Sequence, residues 1–443
     1  MNFVRDLPCF PFSSSIADLL SNPHAISPDW SSFVNEVVEE WSDNVPDNPA
    51  LTRILTKQLT SLFATAQTIT ADTVYTFISR ELQREFETRV GSSVVHIDES
   101  WQGGVSYKVG AFTTKGKLRY GPDDGVYTNH PFLLEHLPRG CVFVDDQLAL
   151  FGNRKFFGRQ VGDDDDSVQV QAVPAAATHF VCTRKANGEL AQVALHPTRP
   201  DTWIVGSKNR KVAVASIDEV DAFTGTQAYS FASEMARAWF HTLEEMGAGR
   251  VRTLQRFLRA TRLTLNFEFE CPSHQHIVPL HEERLVLIGL SSVYTTVQPL
   301  VVAALAVYFS LDCVVPQQYQ KKPLTSLDET AAAVGAEWAT EGAVLVLLDD
   351  EERVVSLMKV KAQYYICLRA IREKLTRLGA DAGPSIRARL GTLRRDGIVQ
   401  PRYARVFAAL GTKFAEQGDL SPGLRDKFPQ RYEQFLAKAA LPE

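Results

Sequence analysis

Cysteine is scarce in this sequence: six in 443 residues, at Cys9, Cys141, Cys182, Cys271, Cys313 and Cys367. None are spaced as CxxC, and most lie in apolar runs. This argues against a disulfide framework and fits the reduced core thiols of an intracellular protein, cytoplasmic or nuclear. Long hydrophobic runs are also missing. The most apolar one, PLVVAALAVYFSL (299–311), is too short to span a membrane and opens on proline, so a buried helix or strand is expected there. The amino-terminal MNFVRDLPCFPFSSS lacks a basic region followed by an apolar run, so no secretory signal is expected. No GxxxxGK[ST] phosphate loop, HExxH or GxSxG occurs, which removes three common enzyme signatures. The stretch CPSHQHIVPLHEE gathers Cys271, His274, His276 and His281, but at spacings that match no zinc ribbon or finger. GDDDDS (162–167) reads as a solvated loop rather than a metal site.

What is present is ordinary in amount and uneven in placement. Hydrophobic residues make up 45% and charged residues 22%, as in a soluble globular chain long enough for two or three domains. The net charge of −5 argues against indiscriminate binding to nucleic acid. Residues 1–90, however, hold 6 Lys and Arg against 12 Asp and Glu, while residues 368–443 hold 15 against 8. A basic C-terminal module on an acidic chain can attract a polyanion, although solvated arginines on helix faces would give the same count.

Periodicity divides the chain in three. Residues 1–92 carry helical spacing, with Ser-Pro-Asp opening SPDWSSFVNEVVEEW, and form an expected N-terminal helical domain. Residues 93–367 alternate short β-branched and aromatic runs with turns, interrupted by a helical block at 228–262 and a helix or two over 297–337. Residues 368–443 read as helices broken at Gly379, Gly383-Pro384, Gly397 and Pro422. The fold class expected is α+β, with antiparallel sheets flanked by helical domains on both sides.

The polar outliers share a theme. Lys185 ends the strand-like HFVCTR and enters an Asn-Gly turn; Lys208 follows WIVGS; Glu268 and Glu270 interrupt LTLNFEFE. Glu341-Gly342 precedes AVLVLL, and Lys359 and Lys361 occupy one face of SLMKVKAQYY. Singly, each lysine is an ordinary solvent-facing strand residue. Together they describe a β-lined pocket with many cations and few carboxylates, which suits a triphosphate with a divalent metal. It also suits a reactive lysine, because neighbouring cations and desolvation favour the neutral, nucleophilic amine.

The set and its order resemble the covalent nucleotidyltransferase superfamily of polynucleotide ligases and capping enzymes. KANG (185–188) is similar to the nucleotidyl-lysine motif, FEFE (267–270) to the third motif, EGAVL (341–345) to the Glu-Gly motif and MKVKAQYY (358–365) to the closing Lys-x-Lys motif. The finer resemblance is to ATP-dependent RNA ligases of the bacteriophage tRNA-repair type, through RGCVFV (139–144), RKFFGR (154–159), Lys208 in GSKN, and NFEFECPSHQHIVPL, with His276 in place of arginine. It covers roughly residues 95–370. Besides His276, four features depart from it: Glu189 after the motif glycine, a longer segment between Lys208 and Glu268, a longer Asp-rich loop region, and the N-terminal helices.

The resemblance implies an antiparallel, ATP-grasp-like ligase core and an enzyme that joins RNA 5′-phosphate and 3′-hydroxyl ends, with tRNA as one candidate. Lys185 would carry AMP. Arg139, Lys155, Lys359 and Lys361 would grip phosphates, and Phe157, Asn187, Gly188, Lys208, Gly342 and Tyr365 would shape or line the nucleotide pocket. Glu341 and Glu268 would bind magnesium, with manganese as a substitute; Glu268 is preferred to Glu270 because it follows the motif phenylalanine. The basic C-terminal domain would hold RNA, and a monomer with no membrane partner is expected. The alternatives are DNA ligation, GTP-dependent capping, or a non-catalytic RNA-binding protein on the same fold. The first two usually carry an OB-type β module after the closing motif, and no such module is evident here.

Overall fold

The computed structural model describes residues 27–45, 48–70, 72–89, 95–101, 104–109, 124–159, 170–223, 229–316 and 319–438. The acidic run at 162–167 lies outside them. The chain opens with α1 (Pro28–Asn44), α2 (Pro49–Ile69) and α3 (Asp72–Arg89). Proline in the first turn presets the helical φ of α1 and α2, and Asn48 Oδ1 caps α2 by accepting from Leu51 N–H at 3.2 Å. These helices share a core with the sheets that follow. Phe33 packs against Phe63, Phe257 and Tyr308. The Tyr75 hydroxyl donates to Leu148 O (3.0 Å), and Leu148 N–H donates to Ser79 Oγ (2.9 Å).

Next come β1 (Val95–Trp101), β2 (Gly104–Val109), the short helices α4 (Asp124–Asn129) and α5 (Pro131–His136), then β3 (Cys141–Val144) and β4 (Gln147–Phe151). The four strands form an antiparallel meander in chain order. After β5 (His179–Arg184) come β6 (Glu189–Leu195), β7 (Trp203–Ser207), β8 (Lys211–Val214), α6 (Ile217–Asp221), α7 (Ser230–Thr261), β9 (Thr264–Glu270), β10 (Arg284–Ser292) and β11 (Thr295–Thr296). The chain continues with α8 (Pro299–Tyr308), β12 (Lys321–Pro323), α9 (Leu327–Gly335), β13 (Gly342–Leu348) and β14 (Val354–Lys361). One sheet is six-stranded, in the order β11-β10-β9-β6-β7-β8; the other has four strands, β12-β5-β13-β14. Consecutive strands β5 and β6 therefore belong to different sheets, and residues 185–188 link the two.

Helix α7 covers the six-stranded sheet, with Trp239 packed on Trp203 and Phe267 at ring separations of 5.1 and 5.7 Å. The expected helical span over 297–337 is interrupted. Helix α8 is buried almost all round and ends before Ser310, whose φ is 54°; Pro316 and Pro323 bar continuation, and β12 intervenes before α9. No helix among the described residues is long and apolar enough to cross a membrane. The last helices, α10 (Gln363–Leu378), α11 (Gly383–Arg395), α12 (Pro401–Gln417) and α13 (Leu424–Lys438), surround a core of their own that includes Ile371, Leu390, Phe407, Phe414 and Phe428. Ile277, from the loop between β9 and β10, also enters that core. The architecture is α+β, with antiparallel sheets between helical flanks.

Candidate active site

Lys185 lies where the chain leaves one sheet for the other. Its N–H donates to Gly342 O at 2.9 Å, extending the β5–β13 ladder by one residue, and Gly342 pairs with Lys361 on β14. The register thus sets Lys185, Gly342 and Lys361 in one row, with Lys359 on the same face of β14 as Lys361. Lys185 Nζ meets Glu341 Oε1 at 2.8 Å. Gly342 has φ +126°, and a Cβ there would stand 2.1 Å from Val360 O, so only glycine fits. Gly188 is fixed by close approach: a Cβ would lie 2.3 Å from Phe269 O.

That close approach brings β9 to the turn. Gly188 N–H donates to Glu268 Oε1 at 3.0 Å. Burial pushes the Glu268 carboxyl up; the Lys185 charge pulls it back, and Glu341 adds to the rise. Glu270, two residues on and buried, is taken by Arg184 (3.0 Å) and Arg284 (2.8 Å). Of the two acids, Glu268 faces the lysine and Glu270 ties strands together.

The cations come from two segments. Residues 154–159 run beside β14, with Lys359 N–H donating to Phe157 O (3.0 Å) and Arg159 N–H to Lys359 O (2.9 Å). Lys155 is buried, its Nζ 5.9 Å from the Tyr127 ring and 5.7 Å from the Phe157 ring. Lys359 Nζ lies 5.2 Å from the Phe156 ring, and Lys361 Nζ 5.5 Å from the Tyr365 ring. Aromatic faces hold ammonium groups in place without cancelling their charge. Phe157 itself is fully buried.

Glu189, the first residue of β6, meets the loop between β9 and β10 at His276. His276 Nε2 and Glu189 Oε1 are 3.2 Å apart. Burial opposes ionisation of Glu189, but the His276 hydrogen bond and the charges of His276, Lys208 and Arg139 outweigh it and hold the carboxyl below its ordinary range. An RNA ligase family model matches residues 138–365, just over half of the chain. The chain belongs to the RNA ligase family. Two solved structures, forms 1 and 2 of an archaeal ATP-dependent RNA ligase, are similar to this chain at 12% identity and a TM-score of 0.42. Form 2 covers 76% of each chain, and form 1 covers 81% of this chain and 80% of its own. No curated protein matches it.

In the ligase, Lys185, Glu341, Gly342, Lys361, Glu268 and Gly188 are joined by the bonds and register above. Lys359 shares a face of β14 with Lys361, the segment bearing Lys155 runs beside β14, and Arg139 and Lys208 lie close enough to Glu189 for their charges to lower its carboxyl. Asn187 is turned aside: its Nδ2 donates to Val278 O at 2.8 Å, in the loop that enters the C-terminal core. The histidine-rich stretch diverges, since His274 bonds Glu234 (2.6 Å) while His276 bonds Glu189.

A buried polar relay was missed from the sequence. Gln192 Nε2 donates to Arg139 O (2.8 Å) and Asn266 Oδ1 (3.2 Å). Asn266 Nδ2 donates to Ser291 Oγ (2.8 Å), which donates to Phe151 O (2.8 Å). The relay fixes the backbone that presents Arg139. Buried Lys211 likewise donates to Lys208 O at 3.2 Å and shapes that turn. The available signal was an amide or ammonium inside an otherwise apolar strand, as in LAQVAL and KVAV.

Proposed function

We propose that this RNA ligase uses ATP to seal 5′-phosphate and 3′-hydroxyl RNA ends through AMP carried on Lys185. The observation that carries the reading is the placement of Lys185 Nζ, 2.8 Å from Glu341 and in register with Lys361. The amine sheds its proton and attacks the α-phosphorus of ATP; a P–N bond forms as the P–O bond to pyrophosphate breaks. An oxygen of the RNA 5′-phosphate then attacks that phosphorus, releasing the lysine and leaving AMP joined to the RNA end. The RNA 3′-hydroxyl attacks the 5′-phosphorus, loses its proton and expels AMP. Each step shifts negative charge among phosphoryl oxygens, so Arg139, Lys155, Lys359 and Lys361 act by placement and charge. Glu341 aims the amine, and Glu268 holds the Gly188 backbone against β9.

The donor set fits a metal that arrives with the nucleotide. Among the described residues no group of three or more His, Cys, Asp or Glu side chains could hold a metal ion. Glu268 and Glu341 supply two carboxylates beside the phosphate-binding row, which suits magnesium, or manganese in its place, shared with ATP phosphates. Bound there, the ion would neutralise phosphate charge.

The basic C-terminal helices hold the RNA, with broken tRNA as one candidate and the monomer as the working unit. Sealing of labelled RNA with 5′-phosphate and 3′-hydroxyl ends, run beside DNA of the same sequence, tests the reading. Joining of RNA with ATP is expected; joining of DNA alone, or joining only with GTP, would overturn it.

A further inference from the structure

We infer that Trp338, with Tyr403 beside it, is a stacking platform for a base of the single-stranded RNA end being sealed; this rests on the RNA-ligase reading above. Trp338 is the most exposed large hydrophobic residue described, at 57%. It lies in the link between α9 and β13. Its ring leans on Tyr364 (4.6 Å between centroids), Phe407 (5.5 Å) and Tyr403 (6.4 Å). Tyr403 and Phe407 are stacked nearly parallel, at 4°. The Tyr403 hydroxyl donates to Ala336 O at 3.0 Å, which pins the link to α12. The indole is thus braced from the C-terminal side and left open over most of its surface.

Two further observations select RNA as the occupant. Exposed Arg402 adjoins Tyr403 on α12, exposed Arg405 neighbours Arg402 one turn along that helix, and exposed Arg394 and Arg395 end the preceding helix. Open aromatic rings beside arginines match a strand whose bases stack and whose phosphates need cations. Glu337 precedes and Glu341 follows the ring in the link between α9 and β13, whereas these arginines belong to α11 and α12. Trp338 also stands three residues before Glu341, whose carboxylate contacts Lys185. Three residues of extended chain span at most ~11 Å, so a base on Trp338 sits close to the ends being joined.

Full-length wild type, Trp338→Ala and Trp338→Phe are compared for equilibrium binding of a fluorescent 5′-phosphorylated RNA, for the RNA KM of sealing and for lysyl-AMP formation. Trp338→Ala should weaken RNA binding and raise the RNA KM about tenfold, keeping lysyl-AMP formation, while Trp338→Phe keeps most of the affinity. An abasic nucleotide is then scanned along the RNA end. One position should cost wild type as much as Trp338→Ala does, and Trp338→Ala should lose nothing further there. Unchanged RNA affinity in Trp338→Ala, or abasic effects that simply add to it, would overturn the platform. Absence of lysyl-AMP in wild type would overturn the enzymatic reading instead, and the binding measurements would still decide the platform.

Discussion

The helices at the two ends of the described chain are joined to the sheets in opposite ways. The acidic N-terminal helices interlock through apolar side chains: Phe33 and Phe63 mesh with Phe257, and Tyr75 and Ser79 bond β4 directly. The basic C-terminal helices keep a separate core. They reach the site through the 271–283 loop, where Ile277 enters that core, Arg372 donates to His276 O (3.3 Å) and Asn187 donates to Val278 O. A shared apolar core makes scaffold. We propose that the separate core, joined by a loop that touches both the lysine turn and the basic helices, is a module that handles substrate.

The strongest test of this contrast pairs two buried phenylalanines. Phe33→Ala should destabilise the protein by about 3–5 kcal/mol in urea and lower lysyl-AMP formation and sealing together. Phe414→Ala, in the C-terminal core, should impair sealing much more than lysyl-AMP formation. Equal loss of both steps in the two variants would erase the distinction. A smaller effect is expected at Glu268. Its carboxyl is raised by burial, so the folded state holds its proton to higher pH than the unfolded chain, and stability falls as pH rises through that window. Glu268→Gln should therefore be more stable than wild type at pH 8 and lose that gain below the ordinary carboxyl range, while forming lysyl-AMP more slowly. Thermal melts across pH give the sign.

The joint between the two parts is tested next. Glu189→Gln and His276→Asn should each slow lysyl-AMP formation, and the double variant should be no worse than the poorer single, a coupling of about 1 kcal/mol. Simple additivity would show that the pair does not act as a unit. Smallest is the salt effect: Arg402→Ala should flatten the log–log salt dependence of RNA binding by about 0.7 and leave lysyl-AMP formation alone.

The strands and the motif residues were legible because each carries a local signal. Short β-branched and aromatic runs between turns marked β5 through β9, and Lys185, Glu341, Gly342 and the Lys359/Lys361 pair stood out as polar or glycine positions beside apolar strands. The motif favoured Glu268 over Glu270, but alternation puts both on one face; the arginines brought in from β5 and β10 divide them. Glu189 was unexplained for a related reason. Its partner, His276, is far along the chain, and the two departures from the ligase motifs become one contact only when β6 and the 271–283 loop meet. Gln192 and Asn266 were hidden because a buried amide resembles a surface one until its neighbours are known. The break between α8 and α9 was blurred because apolar helix and short strand share composition.

The central claim is that Lys185 is the residue that carries the nucleotide. Wild type incubated with ATP labelled at the α-phosphate should retain label through denaturing electrophoresis, release it on addition of pyrophosphate, and yield one labelled peptide containing Lys185; Lys185→Ala should retain none. Label kept by Lys185→Ala, or found on another lysine of wild type, would contradict the account.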